Sequence, residues 1–280
     1  MEINYSIIIP HHNSPHLLDR CLASIPQRED LEIIVVDDNS VENKRPNTTR
    51  SDVRIITIDA SQTKGAGRAR NYGMAEAKGK WLLFADCDDF YAKGFLEVLD
   101  NYKESNYDII FYDAYFRYEP DTGKYSRNKF TSHIKLFLSN PDNEQLKKEL
   151  KHCSNTPWLR MIRKVFVEKI GAKFSEVPVC NDGYFAHFTS YMTDNIFAID
   201  QKLYYWCKTA ESLSTRKKSY EIEKGRIREG KRIHKILKKD NVSEMRMPFW
   251  RNFIITRKQL GLWVAIKLAF YKLINGYSII

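Results

Sequence analysis

Three carboxylates stand within four residues at the end of an apolar run. Asp86, Asp88 and Asp89 follow residues 81–85 (WLLFA), a segment typical of a buried parallel strand. Like charges this close repel one another and need a counter-charge. Mg²⁺ and Mn²⁺ prefer oxygen ligands, and they commonly combine one or two carboxylates with substrate phosphates. The cluster therefore indicates a divalent metal site, and the alternative is an acidic turn in solvent.

A second pair of carboxylates, Asp37 and Asp38, follows the apolar run 31–36 (LEIIVV). Open α/β sheets bind ligands at the carboxyl ends of their parallel strands, so two acidic strand ends predict a metal-diphosphate or nucleotide pocket. Between them, residues 64–71 (KGAGRARN) place Lys64, Arg70 and the amide groups of a helix start near the same edge. Such groups are natural partners of a diphosphate, and the alternative is a solvated helix face.

The elements that must position these residues alternate between strand and helix. Strands are predicted at residues 5–9, 31–36, 53–58, 81–85, 109–118 and 203–208. Helices are predicted at residues 15–25, 65–77, 93–102, 143–153, 164–170, 182–192, 220–239 and 249–275. Pro10 is expected to stop the first strand, and Gly79 to close the helix at 65–77. The alternation predicts an α/β fold with a mostly parallel sheet flanked by helices.

Composition fits a globular protein of one large domain with appendages, because 43% of the 280 residues are apolar. The five cysteines are scattered and form no Cys-x-x-Cys pair, which favours a reducing compartment over a disulfide framework or zinc knuckle. No signal peptide and no membrane-spanning stretch is expected. The absence of G-x-G-x-x-G and Walker lysine motifs argues against dinucleotide and P-loop chemistry.

The positive charge is concentrated in the last quarter of the chain. Residues 1–210 hold 28 Lys and Arg against 29 Asp and Glu, whereas residues 211–280 hold 17 against 6. The formal net charge of +10 therefore belongs to the C-terminal segment. Such a segment predicts an anionic partner, which could be a membrane surface, nucleic acid or polyphosphate. No recognised nucleic-acid-binding motif accompanies it, so nucleic acid is not expected.

Five short segments, in their order and spacing, resemble a family 2 glycosyltransferase of the GT-A fold. The resemblance covers the first 120 residues. The matching residues are Ser6-Ile7-Ile8-Ile9-Pro10 with Asn13, Leu22-Ala23-Ser24-Ile25, Val36-Asp37-Asp38-Asn39-Ser40, Ala69-Arg70-Asn71-Tyr72-Gly73 and Phe84-Ala85-Asp86-Cys87-Asp88-Asp89. The resemblance implies a Rossmann-like donor domain that binds a nucleotide-sugar.

The resemblance also implies a role for each matching residue on the donor side. Pro10 and Asn13 would line the base and ribose end of the nucleotide-sugar. Asp38, with Asp37 beside it, would hydrogen-bond the nucleobase, most often uracil. Arg70 would lie near the phosphates or support the loop, and Lys64 would help it there.

The acidic cluster matches the Asp-x-Asp motif of that family. Asp86 would approach the ribose or a metal-bound water, and Asp88 would ligate Mn²⁺ or Mg²⁺ bridging the diphosphate. Cys87, the middle residue of the motif, belongs to the donor side as well. Asp89 is expected only to cap the next turn.

The similarity continues more weakly to about residue 215. Residues 158–174, beginning at Trp158, resemble the segment beneath the acceptor site, and Trp158 is assigned to the acceptor side. Residues 181–185 (NDGYF) resemble a Glu-Asp-x-x-Phe motif whose Asp is the general base of inverting enzymes. That residue is Asp182 here, and Asn181, which replaces the usual Glu, is assigned to the acceptor side. The alternative role for Asp182 is a helix N-cap. Residues 204–206 (YYW), with Ser212 and Ser214, resemble an aromatic strand and the loop that follows it.

The C-terminal stretch 260–280 is strongly apolar, rich in Trp and Tyr, and broken by Lys267 and Lys272. Such a helix is typical of the membrane interface, where basic residues reach anionic headgroups. The alternative is a helix packed on the catalytic domain or on a second copy of the chain, which leaves a homodimer open. We therefore expect a cytoplasmic protein in peripheral contact with the inner face of the cytoplasmic membrane.

Together these patterns predict a GT-A domain at residues 1–215 and a basic, amphipathic helical region at 216–280. The domain would have a donor half at 1–120 and an acceptor half at 121–215. The predicted function is an inverting, metal-dependent transfer of a sugar, most often from a UDP-sugar, to a lipid-linked or saccharide acceptor in surface polysaccharide biosynthesis. Two alternatives stay open. One is an inactive sugar-nucleotide-binding or scaffold subunit, supported by Asn181 alone, and the other is a nucleotidyltransferase, which the acidic pattern fits poorly.

Overall fold

The computed structural model describes residues 2–58, 65–126, 128–208, 219–242, 257–258 and 260–274. Its strands are β1 (Tyr5–His11), β2 (Leu31–Asp37), β3 (Val53–Thr57), β4 (Trp81–Phe84), β5 (Phe90–Tyr91), β6 (Ile109–Glu119), β7 (Lys124–Ser126), β8 (Arg160–Arg163) and β9 (Ile196–Cys207). Its helices are α1 (Pro15–Ala23), α2 (Ala66–Glu76), α3 (Phe95–Asp100), α4 (Lys129–Ser139), α5 (Glu144–His152), α6 (Lys164–Ile170), α7 (Gly183–Tyr191), α8 (Tyr220–Lys239) and α9 (Leu262–Ile274).

One nine-stranded sheet organises the molecule, in the order β3-β2-β1-β4-β8-β6-β9-β5, with β7 beside β6. The first four strands of this order run parallel to one another. β8 is antiparallel to both β4 and β6, β6 is parallel to β9, and β5 is antiparallel to β9. The predicted α/β fold with flanking helices is confirmed. The sheet is mixed beyond β4 because β8 enters it in the opposite direction.

The parallel half forms because its strands are continuous apolar runs that are covered on both faces. Every residue of β1 and β4 is buried, and so is every residue of β2 except Glu32. α2 packs closely on this layer. A Cβ added to Gly73 would lie 2.4 Å from the Ile8 side chain, so only glycine fits there. The carboxyl ends of β1, β2 and β4 therefore open on the same edge, where the acidic residues follow β2 and β4.

Two local predictions were wrong, and they concern a proline and a glycine, residue types that are uncommon inside strands and helices. β1 continues through Pro10 to His11. The Ile8 carbonyl accepts from the Ala85 amide on the β4 side, and the His11 carbonyl accepts from the Asp38 amide on the β2 side. Pro10 therefore faces the β4 side beyond the end of β4, where its missing N–H costs no ladder hydrogen bond. α2 ends at Glu76, before Gly79. A Cβ at Gly79 would lie 2.6 Å from the Ser6 amide, so this glycine permits a close crossing of two backbones.

The second half of the chain contains elements that were not predicted from the sequence. α4 presents Phe130, Ile134 and Phe137 to the core at helical spacing, a signal that the sequence did carry. β8 is a four-residue strand, and β9 begins at Ile196 rather than at residue 203. The predicted helix at 220–239 is confirmed as α8. Of the helix predicted at 249–275, α9 is the part within the described residues, and residues 249–256 and 275 lie outside them.

The C-terminal helices lie against the sheet-bearing part of the chain. α8 packs on α7, and α9 packs on α8. Within this contact the Ser175 hydroxyl donates to Glu229 of α8 at 2.5 Å. Among the described residues, no helix combines the length and apolar character that crossing a membrane would require.

Candidate active site

The acidic loop after β4 is fixed at both ends of its motif. The Asp86 amide donates to the Tyr204 hydroxyl at 2.9 Å, and the Asp86 carboxylate accepts a hydrogen bond from Arg70. The Asp88 carbonyl accepts from Arg20 of α1. The side chains of Asp86 and Asp88 are only half-buried, so both carboxylates remain accessible from the sheet edge.

Asp89 was expected to cap the next turn, but its side chain does not do so. It is fully buried, and its carboxylate accepts from the Tyr204 hydroxyl at 2.9 Å and from the Cys207 amide at 2.7 Å. Burial, together with the charges of Asp88 and Asp86, raises the pKa of Asp89 well above its usual value. Asp89 therefore anchors the acidic loop to β9.

The acidic loop can accommodate a divalent cation. One carboxylate oxygen from each of Asp86, Asp88 and Asp89 lies within 4.8 Å of the others. An octahedral Mg²⁺ or Mn²⁺ site, with bonds of about 2.1 Å, places neighbouring ligand oxygens about 3 Å apart. Both oxygens of Asp89 already accept hydrogen bonds from β9. The donor set that fits a cation is therefore Asp88 with the second oxygen of Asp86.

Arg70 joins the acidic loop to the segment before α7. Its side chain is almost fully buried, and its guanidinium donates to Asp86 and, at 3.0 Å, to the Asn181 side-chain carbonyl. The guanidinium also lies 5.3 Å from the centre of the Phe174 ring. In a buried setting such charge-assisted contacts define geometry strongly. Arg70 thus sets the position of Asn181, and of Asp182 after it, relative to Asp86.

Asp182, the residue predicted to be the general base, lies directly before α7. It occupies the N-cap position of α7, but its side chain makes no capping hydrogen bond, so the N-cap alternative is met in position only. Burial raises the pKa of Asp182, the Arg70 charge lowers it and the Asp86 charge raises it, with a net increase over the ordinary carboxyl value. A carboxylate whose pKa is raised toward neutrality is a better general base.

The two carboxylates at the carboxyl end of β2, Asp37 and Asp38, make different contacts. Asp37 is fully buried and accepts from Ser40 and from the His11 ring at 3.0 Å. Burial alone would raise the pKa of Asp37, but these hydrogen bonds hold it below its usual value. Asp38 turns toward α2 and accepts from the Gly65 amide at 2.7 Å. The two strand ends predicted to share an edge therefore do so, with α2 linking them.

The residues predicted to contact the nucleotide lie near the carboxyl ends of β1 and β4. Pro10 is buried within β1. Asn13 adopts a left-handed backbone with φ 57°, and its side-chain carbonyl accepts from the Val41 amide at 2.9 Å. Cys87 is half-buried as a free thiol, and burial raises its pKa. Lys64, Ser212 and Ser214 lie outside the described residues.

Both residues assigned to the acceptor side are buried, and Trp158 lies against β9. The Trp158 ring is buried and stacks on Tyr204, with ring centres 4.9 Å apart. Tyr204 in turn binds Asp86 and Asp89, so Trp158 supports the acidic loop from behind. Asn181 is also buried. Among the predicted site residues, the structure therefore links Asp86 to Asn181 through Arg70 and Asp86 to Trp158 through Tyr204.

Two structural features of the site were not deduced from the sequence. The Asn71 side chain of α2 donates to the Phe174 carbonyl at 3.0 Å and accepts from the Phe174 amide at 2.8 Å. Gly67 crosses the same segment so closely that a Cβ would lie 2.2 Å from the Ser175 carbonyl. α2 thus holds residues 174–181 against the site. The signal was the Gly-Arg-Ala-Arg-Asn run, which was interpreted as a diphosphate partner or a solvated helix face, with Arg70 as a possible support of the loop.

Comparisons with known proteins agree with this geometry. The family model Glycosyl transferase family 2 matches residues 6–171. A segment is 33% identical over 116 residues to the UDP-Glc:alpha-D-GlcNAc-diphosphoundecaprenol beta-1,3-glucosyltransferase WfgD of Escherichia coli, covering 38% of this chain and 46% of that protein. The chain spans less than two thirds of the length of the curated relatives it matches first, at 42%, 62% and 46%.

Solved structures show the same fold. S. aureus TarS 1-349 in complex with UDP-GlcNAc superposes with a TM-score of 0.63 at 15% identity, over 98% of this chain and 93% of that one. The mannosyltransferase PcManGT from Pyrobaculum calidifontis, in complex with GDP-Man and Mn²⁺, superposes with a TM-score of 0.56 at 13% identity, over 99% and 77%. With the family match over more than half of the 280 residues, the chain belongs to glycosyl transferase family 2 and has the GT-A fold.

Proposed function

We propose that this protein is an inverting glycosyltransferase that moves a sugar from a nucleoside-diphosphate sugar, in the first instance a UDP-sugar, to an acceptor hydroxyl. The observation that carries the proposal is the Arg70 bridge, which ties Asp86 of the acidic loop to Asn181, next to Asp182. This bridge supports the proposal because the same buried cation binds the acidic loop and the residue next to the candidate base. The UDP-GlcNAc complex of TarS supports a nucleotide-sugar donor.

The donor is assigned to the edge formed by β1, β2 and β4. Asp38 and Asn13 are the candidates for the nucleobase and ribose end, and Asp86 and Asp88 for the diphosphate end. A Mn²⁺ or Mg²⁺ ion held by Asp88 and Asp86 would supply charge stabilisation to the departing diphosphate. The Mn²⁺ in the PcManGT complex supports this assignment. Arg70 adds a fixed positive charge beside Asp86 whichever ion is present.

Asp182 is assigned as the general base. The acceptor hydroxyl attacks the anomeric carbon from the face opposite the diphosphate, and the Asp182 carboxylate accepts its proton. The bond to the diphosphate oxygen breaks in the same displacement, so the configuration at the anomeric carbon inverts. Asn181 is neutral and accepts from Arg70. Among the contacts that the structure describes for Arg70, Asp86 is therefore the one carboxylate.

The acceptor class we propose is a lipid-linked saccharide or a cell-surface polymer. The name of WfgD, which includes a diphosphoundecaprenol, supports this class. Residues 1–215 would carry the reaction, with 1–120 holding the donor and 121–215 the acceptor. The alternative of an inactive binding subunit rested on Asn181. That residue keeps a defined contact with Arg70, so its presence does not favour the alternative.

We further propose that α9 brings the enzyme to the cytoplasmic face of a membrane. Trp263, Ile266 and Phe270 share one face of α9 and are 77%, 43% and 63% exposed. Lys267 is exposed nearby, while Ala265 and Leu268 are buried on the opposite side. An apolar stripe with a lysine beside it is suited to an anionic lipid interface. Co-sedimentation with phosphatidylglycerol vesicles should fall in a Trp263→Ser/Phe270→Ser variant. Light scattering would show a loss of dimer instead if a second copy covers this face.

The transfer is tested with a panel of UDP-, GDP- and dTDP-sugars in Mn²⁺, Mg²⁺ or EDTA. We expect slow hydrolysis of one donor class, and a thermal shift with the matching nucleotide, in the presence of the metal. If no UDP- or GDP-sugar produced turnover or a thermal shift under any metal condition, the proposal would be wrong.

A further inference from the structure

A groove of about 230 Å³ lies between α7 and α8, outside the residues assigned above. α7 lines it with three aromatic residues and α8 with three cations: Tyr184, Phe188, Tyr191, Arg232, Lys235 and Lys239. Within each set the residues are three or four positions apart, so each set shares one helix face. An aromatic wall therefore faces a cationic wall, and the groove begins two residues after Asp182.

Arg232 is the ordered end of the cationic wall. Its guanidinium lies 3.6 Å from the centre of the Tyr184 ring and donates to the Ser175 hydroxyl at 2.8 Å. Glu229 accepts from it at 3.1 Å. The side chain is nevertheless 45% exposed. A positive charge is therefore held against an aromatic ring at the end of the groove closest to Asp182.

The other two cations of the wall are not neutralised by acidic neighbours. In the part of the chain that the structure describes, the ion pairs of α8 involve Lys224, Arg226 and Arg232. Lys235 and Lys239 are exposed at the groove without a carboxylate partner there. Two uncompensated ammonium groups opposite an aromatic wall match a ligand that joins an anion to an apolar chain.

The size of the groove limits what it can hold. Its volume of about 230 Å³ is below the roughly 300–1,000 Å³ of sites that enclose a drug-sized ligand. It fits a head group rather than a whole lipid-linked saccharide. α7 has nine residues and is about 13 Å long, so the groove leads from the proposed base outward along one helix.

Resting on the proposed transfer to a lipid-linked acceptor, we propose that this groove binds the diphosphate and the first isoprenoid carbons of that acceptor. Lys235 and Lys239 contact the diphosphate, Arg232 holds the Tyr184 ring at the inner end of the groove, and Phe188 and Tyr191 pack against the carbon chain. The saccharide then points toward Asp182. The groove would thus select acceptors that carry a prenyl diphosphate.

The test uses the full chain and farnesyl diphosphate as the probe, in calorimetric titrations with saturating UDP and Mn²⁺ so that the donor site is already filled. Lys235→Glu/Lys239→Glu should weaken binding by about ten-fold or more. Lys129→Glu/Lys135→Glu makes the same change in net charge at exposed positions of α4, which does not line the groove, and should leave binding unchanged. Inorganic pyrophosphate should bind more weakly than farnesyl diphosphate, because it lacks the apolar chain.

Absence of saturable farnesyl diphosphate binding, or equal losses in both double variants, would overturn the assignment of the groove. Equal binding of pyrophosphate would overturn the role of the aromatic wall. A loss confined to binding of phosphatidylglycerol vesicles would instead make the groove a membrane contact. The preceding UDP titration reports separately on the donor site, so failure of the glycosyltransferase proposal is distinguishable from failure of this one.

Discussion

Arg70 of the second helix and Asp86 of the acidic loop form a hydrogen-bonded ion pair in which Arg70 is buried and Asp86 half-buried. The same guanidinium binds Asn181, so one cation connects the carboxylates proposed for the donor with the segment that carries Asp182. Its charge also acts on Asp182, whose pKa it lowers against the effect of burial. The pair is therefore both a structural and an electrostatic link.

This link predicts the pH dependence of the reaction. Asp182 must be ionised to accept a proton, and burial raises its pKa, so kcat/KM should fall as the pH drops through that raised value. Arg70→Gln removes a charge that lowers the pKa, so the acid limb of the profile should move to higher pH. Arg54→Gln removes a half-exposed surface arginine and should leave the limb in place. If the acid limb did not move in Arg70→Gln, the idea that Arg70 affects the ionisation of Asp182 would be wrong.

The metal assignment predicts a specific loss at Asp88. Asp88→Asn keeps the size of the side chain but removes the charge, so Mn²⁺-stimulated turnover should fall by about 100-fold or more. The affinity for UDP should also lose its dependence on Mn²⁺. Asp142→Asn, at an exposed position away from the site, is the control. Retained metal stimulation in Asp88→Asn would remove this residue from the ligand set.

The Tyr204 hydroxyl should contribute to the stability of the protein. Tyr204→Phe removes the hydroxyl that accepts from the Asp86 amide and donates to the buried Asp89. Leaving such groups without a partner should lower the free energy of unfolding by about 1–3 kcal/mol, measured by denaturant titration. Tyr107→Phe, at a half-buried tyrosine just before the amino end of β6, serves as the control and should change the free energy of unfolding little. An equal loss in the two variants would argue against a special role for the Tyr204 hydroxyl.

Gly67 should not tolerate a side chain, because a Cβ there would lie 2.2 Å from the Ser175 carbonyl and 2.7 Å from the Asn181 Cβ. Gly67→Ala should therefore displace residues 175–181 and lower kcat together with stability. Gly225→Ala in α8 meets nothing within 4 Å and should stabilise the protein by about 0.5–1 kcal/mol. Normal turnover in Gly67→Ala would show that this segment can shift without consequence.

The parallel half of the fold was predictable, because continuous apolar strands ending in carboxylates place Asp38 and Asp86 on one edge. The second half was less so. β8 has four residues, and its antiparallel direction is set by its neighbours rather than by its own sequence. The Arg70 contact with Asn181 joins residues 111 positions apart, and no local pattern specifies such a pair. Asp182 was found only through the family resemblance, since a carboxylate before a helix is ordinarily a cap.

The most direct test of the account compares wild-type protein with Asp182→Asn in sugar transfer from the donor that the panel identifies. The substitution keeps the shape of the side chain and removes the base. Transfer should fall by about 100-fold or more, while UDP affinity and the unfolding midpoint stay near the wild-type values. The product from the wild-type enzyme should carry the inverted anomeric configuration. Transfer by Asp182→Asn at the wild-type rate, or a product with retained configuration, would contradict the mechanism.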